Sequence, residues 1–237
     1  MPRSSVKRIK RKDIRQPDQF VTLSRKIYQL VLEKYRTQSI IAGAVLLAVV
    51  LGVWGWSIHS ATQNRLAAAS YSRAVTLYHS KRYPEALKAF SDLAQNYRST
   101  TYGRFGQLYQ ANAYIALKQP ELAASILRDL ISREKSDSFV RQVALFTLAD
   151  SQEAQGQWQQ AAQNFGEAEK IPGPFKEEAL LGKARSASNG GDLKEALTSY
   201  RQYLSGRPDS EKTTEVSLRI QQLEAKLNEK APAKSAP

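Results

Sequence analysis

Hydrophobic and polar positions follow three regimes along the chain. From Ser39 to Ile58, twenty consecutive residues are apolar or small, and no charge interrupts Gln38 to Ser60. As a helix rising about 1.5 Å per residue, this run spans about 30 Å, the hydrocarbon thickness of a bilayer. A secretory signal would lie nearer the N-terminus and lead at once into a small-residue cleavage site. Here 38 residues come first, and the nearest small triplet, Ala67 to Ala69, lies well beyond the run. The expectation is an uncleaved transmembrane helix over 39–58. Before it, Phe20, Leu23, Ile27, Leu30 and Val31 recur at helical spacing beside Arg25, Lys26 and Lys34, the stripe of an amphipathic helix. After it, the pattern becomes a succession of short amphipathic helices.

Those helices repeat. Ala86, Ala123, Ala161 and Ala196 are separated by 37, 38 and 35 residues, and Ala74, Ala111, Ala149 and Ala184 keep the same steps. The period is close to the roughly 34 residues of a helix-turn-helix repeat. Alanine at the crossing of two helices lets their backbones approach. Four residues after each alanine of the first series, Phe90, Leu127, Phe165 and Tyr200 fill the space between neighbouring units. Gly156 and Gly191 fall in the turns between paired helices, and Pro84, Pro120 and Pro208 fall at helix starts or just beyond ends. A last helix over 211–230 places Val216, Ile220, Leu223 and Leu227 on one otherwise polar helix, as a cap requires.

The expected fold is therefore all-α: one N-terminal transmembrane helix, then an α-solenoid of about four helical hairpins and a C-terminal capping helix. The boundaries read 1–38 for a basic segment with an amphipathic juxtamembrane helix, 39–58 for the span and 59–230 for the repeats. Within the repeats they read about 67–100, 104–137, 142–174 and 177–210, with the cap at 211–230 and a disordered tail at 231–237.

Charge sets an orientation. Residues 1–36 carry eleven Lys/Arg and three Asp/Glu, whereas the twenty residues after Ile58 contain only Arg65 and Arg73. The positive-inside rule leaves the N-terminus in the cytoplasm and the repeats outside it, in the periplasm of a bacterium whose inner membrane the chain crosses once. Trp54, Trp56 and Tyr35 suit the two interfaces. Most of the formal net charge of +13 belongs to this topology signal. "KRIKRK" (Lys7 to Lys12) lacks interleaved aromatics, so it reads as a solvated flank touching anionic lipid and not as a nucleic-acid surface.

Chemistry is sparse. With no Cys, there are no disulfides, thiolate reactions or Cys-ligated metals. His59 and His79 have no carboxylate pair at ligand spacing, and "NGGDL" is a turn between helices, not a phosphate loop. The expectation is no enzyme, no metal and no cofactor.

"GQWQQAAQNFGEA" (Gly156 to Ala168) and its recurrences resemble the tetratricopeptide-repeat family. The architecture, with "AQNYRSTTYGRFGQLYQANAY" (Ala94 to Tyr114), further resembles the single-span ancillary subunit of the bacterial SecYEG translocon. That resemblance implies contact with the translocon, emerging periplasmic proteins or their chaperones. The family's groove positions, carried onto this register, are Tyr71, Val75 and Tyr78, then Phe105, Leu108, Asn112 and Ile115. They continue through Val143, Phe146, Asp150 and Glu153 to Leu181, Arg185 and Asn189. Asn112 and Arg185 lie too far apart to clamp a terminal carboxylate, so the groove suits apolar or amphipathic segments. The same residues also suit ordinary packing between helices. A scaffold for envelope-assembly or cell-division complexes, or a self-assembling adaptor, is the alternative reading; the small face Ala44, Ala48 and Gly52 would permit helix packing in lipid. A mitochondrial import receptor is a further one, disfavoured by the missing clamp.

Overall fold

The computed structural model describes residues 19–29, 36–209 and 211–230. The basic run Lys7 to Lys12, Leu30, Val31, Lys34, Tyr35, the side chain of Phe20 and the tail 231–237 lie outside what is described. All regular structure among the described residues is helical. The chain forms two compact units that meet between His59 and Ser60.

The first unit holds α1 (Gln19–Gln29) and the start of α2 (Arg36–His79). By length and composition, α2 contains a stretch able to cross a membrane, and that stretch is not buried against other parts of the chain. Its Ala44, Ala48 and Gly52 are exposed, and a Cβ on Gly52 would meet nothing within 4 Å. The sequence pattern suggests that the apolar helix and the first repeat are separate elements. They are one continuous helix, because residues 59–79 contain no Gly or Pro and include the helix-favouring run "RLAAAS".

The second unit begins within α2 and continues through α3 (Tyr83–Asn96), α4 (Thr101–Ala116), α5 (Pro120–Arg133) and α6 (Phe139–Ala154). It ends with α7 (Trp158–Lys170), α8 (Lys176–Asn189), α9 (Leu193–Gly206) and α10 (Thr213–Lys230). From α3 onward each helix packs on the next, making antiparallel hairpins. The first helices of successive hairpins also touch, α4 with α6 and α6 with α8, which marks them as the inner layer.

Both alanine series are fully buried at the helix crossings, as are Phe90, Leu127 and Phe165. The core is a chain of small clusters, one per hairpin junction, which is the one-dimensional arrangement expected of repeats that cannot bury an apolar face alone. Close approach is visible at Gly182, where an added Cβ would come within 2.7 Å of the Phe165 ring. The turn within each hairpin needs one residue at positive φ: Lys81 (58°), Lys118 (61°), Gly156 (74°) and Gly191 (86°). Side-chain caps open α4, α6 and α9, where Thr100, Ser138 and Asp192 accept from the backbone N–H of Gly103, Arg141 and Glu195. At the far end, Val216 and Leu223 of α10 are buried, with Ile220 and Leu227 packed beside them. Glu211 and Lys212, expected in this helix, lie in the turn before it.

Candidate protein-interaction groove

The inner layer is built from the C-terminal part of α2 and from α4, α6 and α8. Equivalent positions recur along it. Three residues before each buried alanine stand Tyr71, Leu108, Phe146 and Leu181, and one residue after it stand Val75, Asn112, Asp150 and Arg185. Most of these side chains are half-buried, as are Tyr78, Phe105, Ile115, Val143 and Glu153; Asp150, Arg185 and Asn189 are exposed.

Leu108 departs from the expectation of a partly open groove residue. It is 6% exposed and packs with Leu127 of α5 and with Val140, Ala144 and Leu148 of α6. The side chains of α5 and α6 at this junction close over it, whereas Tyr71, Phe146 and Leu181 at the equivalent positions stay half-buried. The groove lining therefore leaves Leu108 in the core.

At the N-terminal end the lining is aromatic. The Tyr71 ring lies 5.5 Å from Tyr102, 5.8 Å from Tyr109 and 6.5 Å from Phe105, centroid to centroid. Tyr78 meets Tyr109 edge-on at 5.3 Å and Tyr83 at 5.4 Å. Such tilted and edge-on pairs add stabilisation beyond the area they bury. Burial, reinforced by Tyr109 and Tyr102, pushes the Tyr71 phenol well above its ordinary range. The row continues across later hairpins: Phe105 to Phe139 at 6.4 Å, Phe139 to Phe175 at 6.3 Å, and Phe175 to Phe146 at 5.2 Å. Tyr102, Phe139 and Phe175 were not among the residues singled out from the sequence. Their spacing of 37 and 36 residues lies within one residue of the repeat steps of 38 and 35 between the same helices and is the signal that locates them.

At the C-terminal end the lining becomes charged. Nε of Arg185 on α8 donates to Glu153 Oε1 of α6 at 2.7 Å, and its Nη2 donates to the second carboxylate oxygen. This fork ties two successive hairpins together and raises the Arg185 pKa further. Beside it, partial burial and the nearby Glu153 carboxylate raise the Asp150 pKa, an effect that Arg185 partly offsets. Asp150 and Arg185 line a cavity of about 550 Å³ together with Phe146, Leu181 and Tyr200 and with Glu215, Val216 and Arg219 of α10. The capping helix thus contributes to the groove, a role its amphipathic pattern alone does not disclose. The arrangement can bind a chain segment by burying apolar side chains at one end and matching charge at the other. Among the described residues, no cluster of His, Cys, Asp or Glu is placed to hold a metal ion.

Comparison with known proteins agrees with this geometry. A family model described as a tetratricopeptide repeat-like domain matches residues 32–172, taking in the apolar stretch as well as the first repeats. A second, described as tetratricopeptide repeat, matches residues 146–211. No curated protein sequence matches. Among solved structures, the chain is similar to the nearly identical TPR-like repeats of a candidate kinesin light chain from Podosopora anserina, at 16% identity and a TM-score of 0.57. The match covers 71% of this chain and 89% of that one, and a variant of the same repeats gives the same values. At that identity the likeness concerns the fold. Repeats of this class bind proteins or peptides and serve as scaffolds, typically without catalysis. With a matching model over more than half its length and the repeated alanine crossings that such a model describes, the chain belongs to the tetratricopeptide repeat-like family.

Proposed function

We propose that this protein is a single-pass anchored repeat protein that binds other proteins through the inner groove on the extracytoplasmic side of a bacterial inner membrane. In this reading α2 begins as the membrane span and ends as the first repeat helix. The basic segment before it stays in the cytoplasm against anionic lipid. The lopsided Lys/Arg distribution supports the orientation, and the resemblance to the translocon's ancillary subunit supports a role in protein translocation or in hand-over to periplasmic chaperones.

The observation that carries the binding reading is the aromatic row across successive hairpins. Its rings are only partly covered, with Phe139 44% exposed, and they lie on the inner layer of a fold used for protein recognition. Aromatic anchors dominate interface energetics, and each can be worth about 2 kcal/mol or more. Changing Phe139 or Phe105 to Ser should weaken binding of amphipathic peptides by about tenfold or more, the equivalent of about 1.4 kcal/mol, while the helical circular dichroism spectrum is retained. Unchanged affinity for peptides and for every crosslinked protein partner would favour the scaffold reading instead.

A further inference from the structure

We infer that α1 is a membrane-surface helix that lies in the plane of an anionic leaflet, with Leu23 and Ile27 in the acyl boundary and its cations among the lipid phosphates. The inference rests on the reading of α2 as a membrane span and adds a second, separate attachment to it.

Within α1, Leu23 and Ile27 stand one helical turn apart and are 61% and 55% exposed, with Tyr28 at 67%. Two aliphatic side chains so open on one face of an 11-residue helix form a surface that nothing among the described residues covers. Arg25 projects from the opposite side, and Lys26 flanks the apolar edge, as the 100° turn per residue dictates. The helix contains no Asp or Glu. Its charge therefore complements an anionic surface and is not balanced within the helix. Only nine residues separate Gln29 from Ser39, where the apolar stretch begins, so a span starting there keeps α1 within a short tether of the lipid head groups. Long basic side chains beside aliphatic ones fit that boundary, since their stems lie along the acyl edge while the charges reach the phosphates. A solvated helix would leave the aliphatic face in water, and an acidic protein surface would match the cations without accounting for the nine-residue tether that sets α1 beside the lipid. The occupant is thus an anionic lipid surface.

The absence of Cys makes a clean test possible in the full-length chain. Single-cysteine variants Leu23→Cys, Ile27→Cys, Arg25→Cys and Val49→Cys would each carry a polarity-sensitive fluorophore. The proteins would be reconstituted in vesicles of phosphatidylcholine alone or of equal parts phosphatidylcholine and phosphatidylglycerol. In the anionic vesicles, labels at 23 and 27 should be quenched by a lipid-borne nitroxide and shielded from iodide, with the label at 25 showing the reverse. Replacing Arg25 and Lys26 with Glu in the 23 and 27 variants should abolish that lipid quenching, as should neutral vesicles at high salt. Val49 reports the span: if it is shielded while 23, 25 and 27 are equally open to iodide, α1 is solvated and the inference is overturned with the anchor intact. If Val49 is open to iodide, the anchor reading fails first and the inference falls with it. Shielding of 23 and 27 without lipid quenching, together with energy transfer between labelled copies, would assign the face to a second chain and also overturn the inference.

Discussion

Phe165 shows how tightly a single residue is held in this architecture. Its ring is fully buried, lies 5.3 Å from Phe146 and leaves room opposite for nothing larger than the hydrogen of Gly182. Truncation to Ala should cost about 3–5 kcal/mol, and Gly182→Ala about 1–3 kcal/mol through overpacking. Combined, they should cost less than the sum, because the new methyl occupies part of the vacated space. Urea unfolding of the fragment 60–237 would measure all three. Asp150 makes a different, pH-dependent prediction. Its folded-state pKa is raised, so the folded form binds more protons than the unfolded form as pH rises from the ordinary carboxylate range through the folded value. Asp150 therefore lowers stability as pH rises through that window and leaves the penalty in place at neutral pH. Asp150→Asn should remove this part of the slope and melt slightly higher than the parent at pH 7. An unchanged pH profile of melting temperature would contradict the assignment.

At the scale of elements, the hairpin turns supply a comparison within one molecule. Four equivalent positions adopt the left-handed conformation, two as Lys81 and Lys118 and two as glycine. A side chain there costs about 1–2 kcal/mol of backbone strain, while glycine gives back about 0.5–1 kcal/mol through the freedom of the unfolded chain. Lys81→Gly and Lys118→Gly should therefore stabilise the fragment by up to about 1 kcal/mol, and Gly156→Ala and Gly191→Ala should destabilise it by a similar amount. The same denaturation measurement reads both signs. These turns also show what was legible beforehand. The alanine crossings and Gly156 and Gly191 announce themselves, since close approach and positive φ each restrict the residue type. The lysines at the two equivalent turns carry no such mark and become recognisable only through the repeat step. The uninterrupted passage of α2 into the first repeat was likewise hidden, because an apolar run ends where its partner environment changes and not where its backbone geometry does.

At the scale of the whole molecule, one helix, α2, carries both the stretch long and apolar enough to cross a membrane and the first part of the inner layer. The repeat period and the overall class were readable because every hairpin solves the same packing problem with the same small residues. The groove was less readable because equivalent positions have different neighbours. Leu108 is closed over by side chains of α5 and α6, Tyr71 is held in a partly open aromatic cluster, and Arg185 is committed to Glu153. Its C-terminal wall depends on how α10 docks, which no local pattern encodes. The orientation can be tested directly. A reporter enzyme that works only outside the cytoplasm should be active when fused after Pro237 and inactive when fused before Met1, and the reverse pattern would contradict the topology.

The central claim is that the inner layer receives protein partners, and in-cell photo-crosslinking from defined positions tests it most directly. A photoreactive residue at Phe105 or Phe139, on the aromatic row, should capture partner proteins that mass spectrometry identifies. The same probe at Ser125, exposed on α5 outside that layer, should not capture them. Capture from Ser125 with none from Phe105 and Phe139 would place recognition on the outer surface and contradict the account.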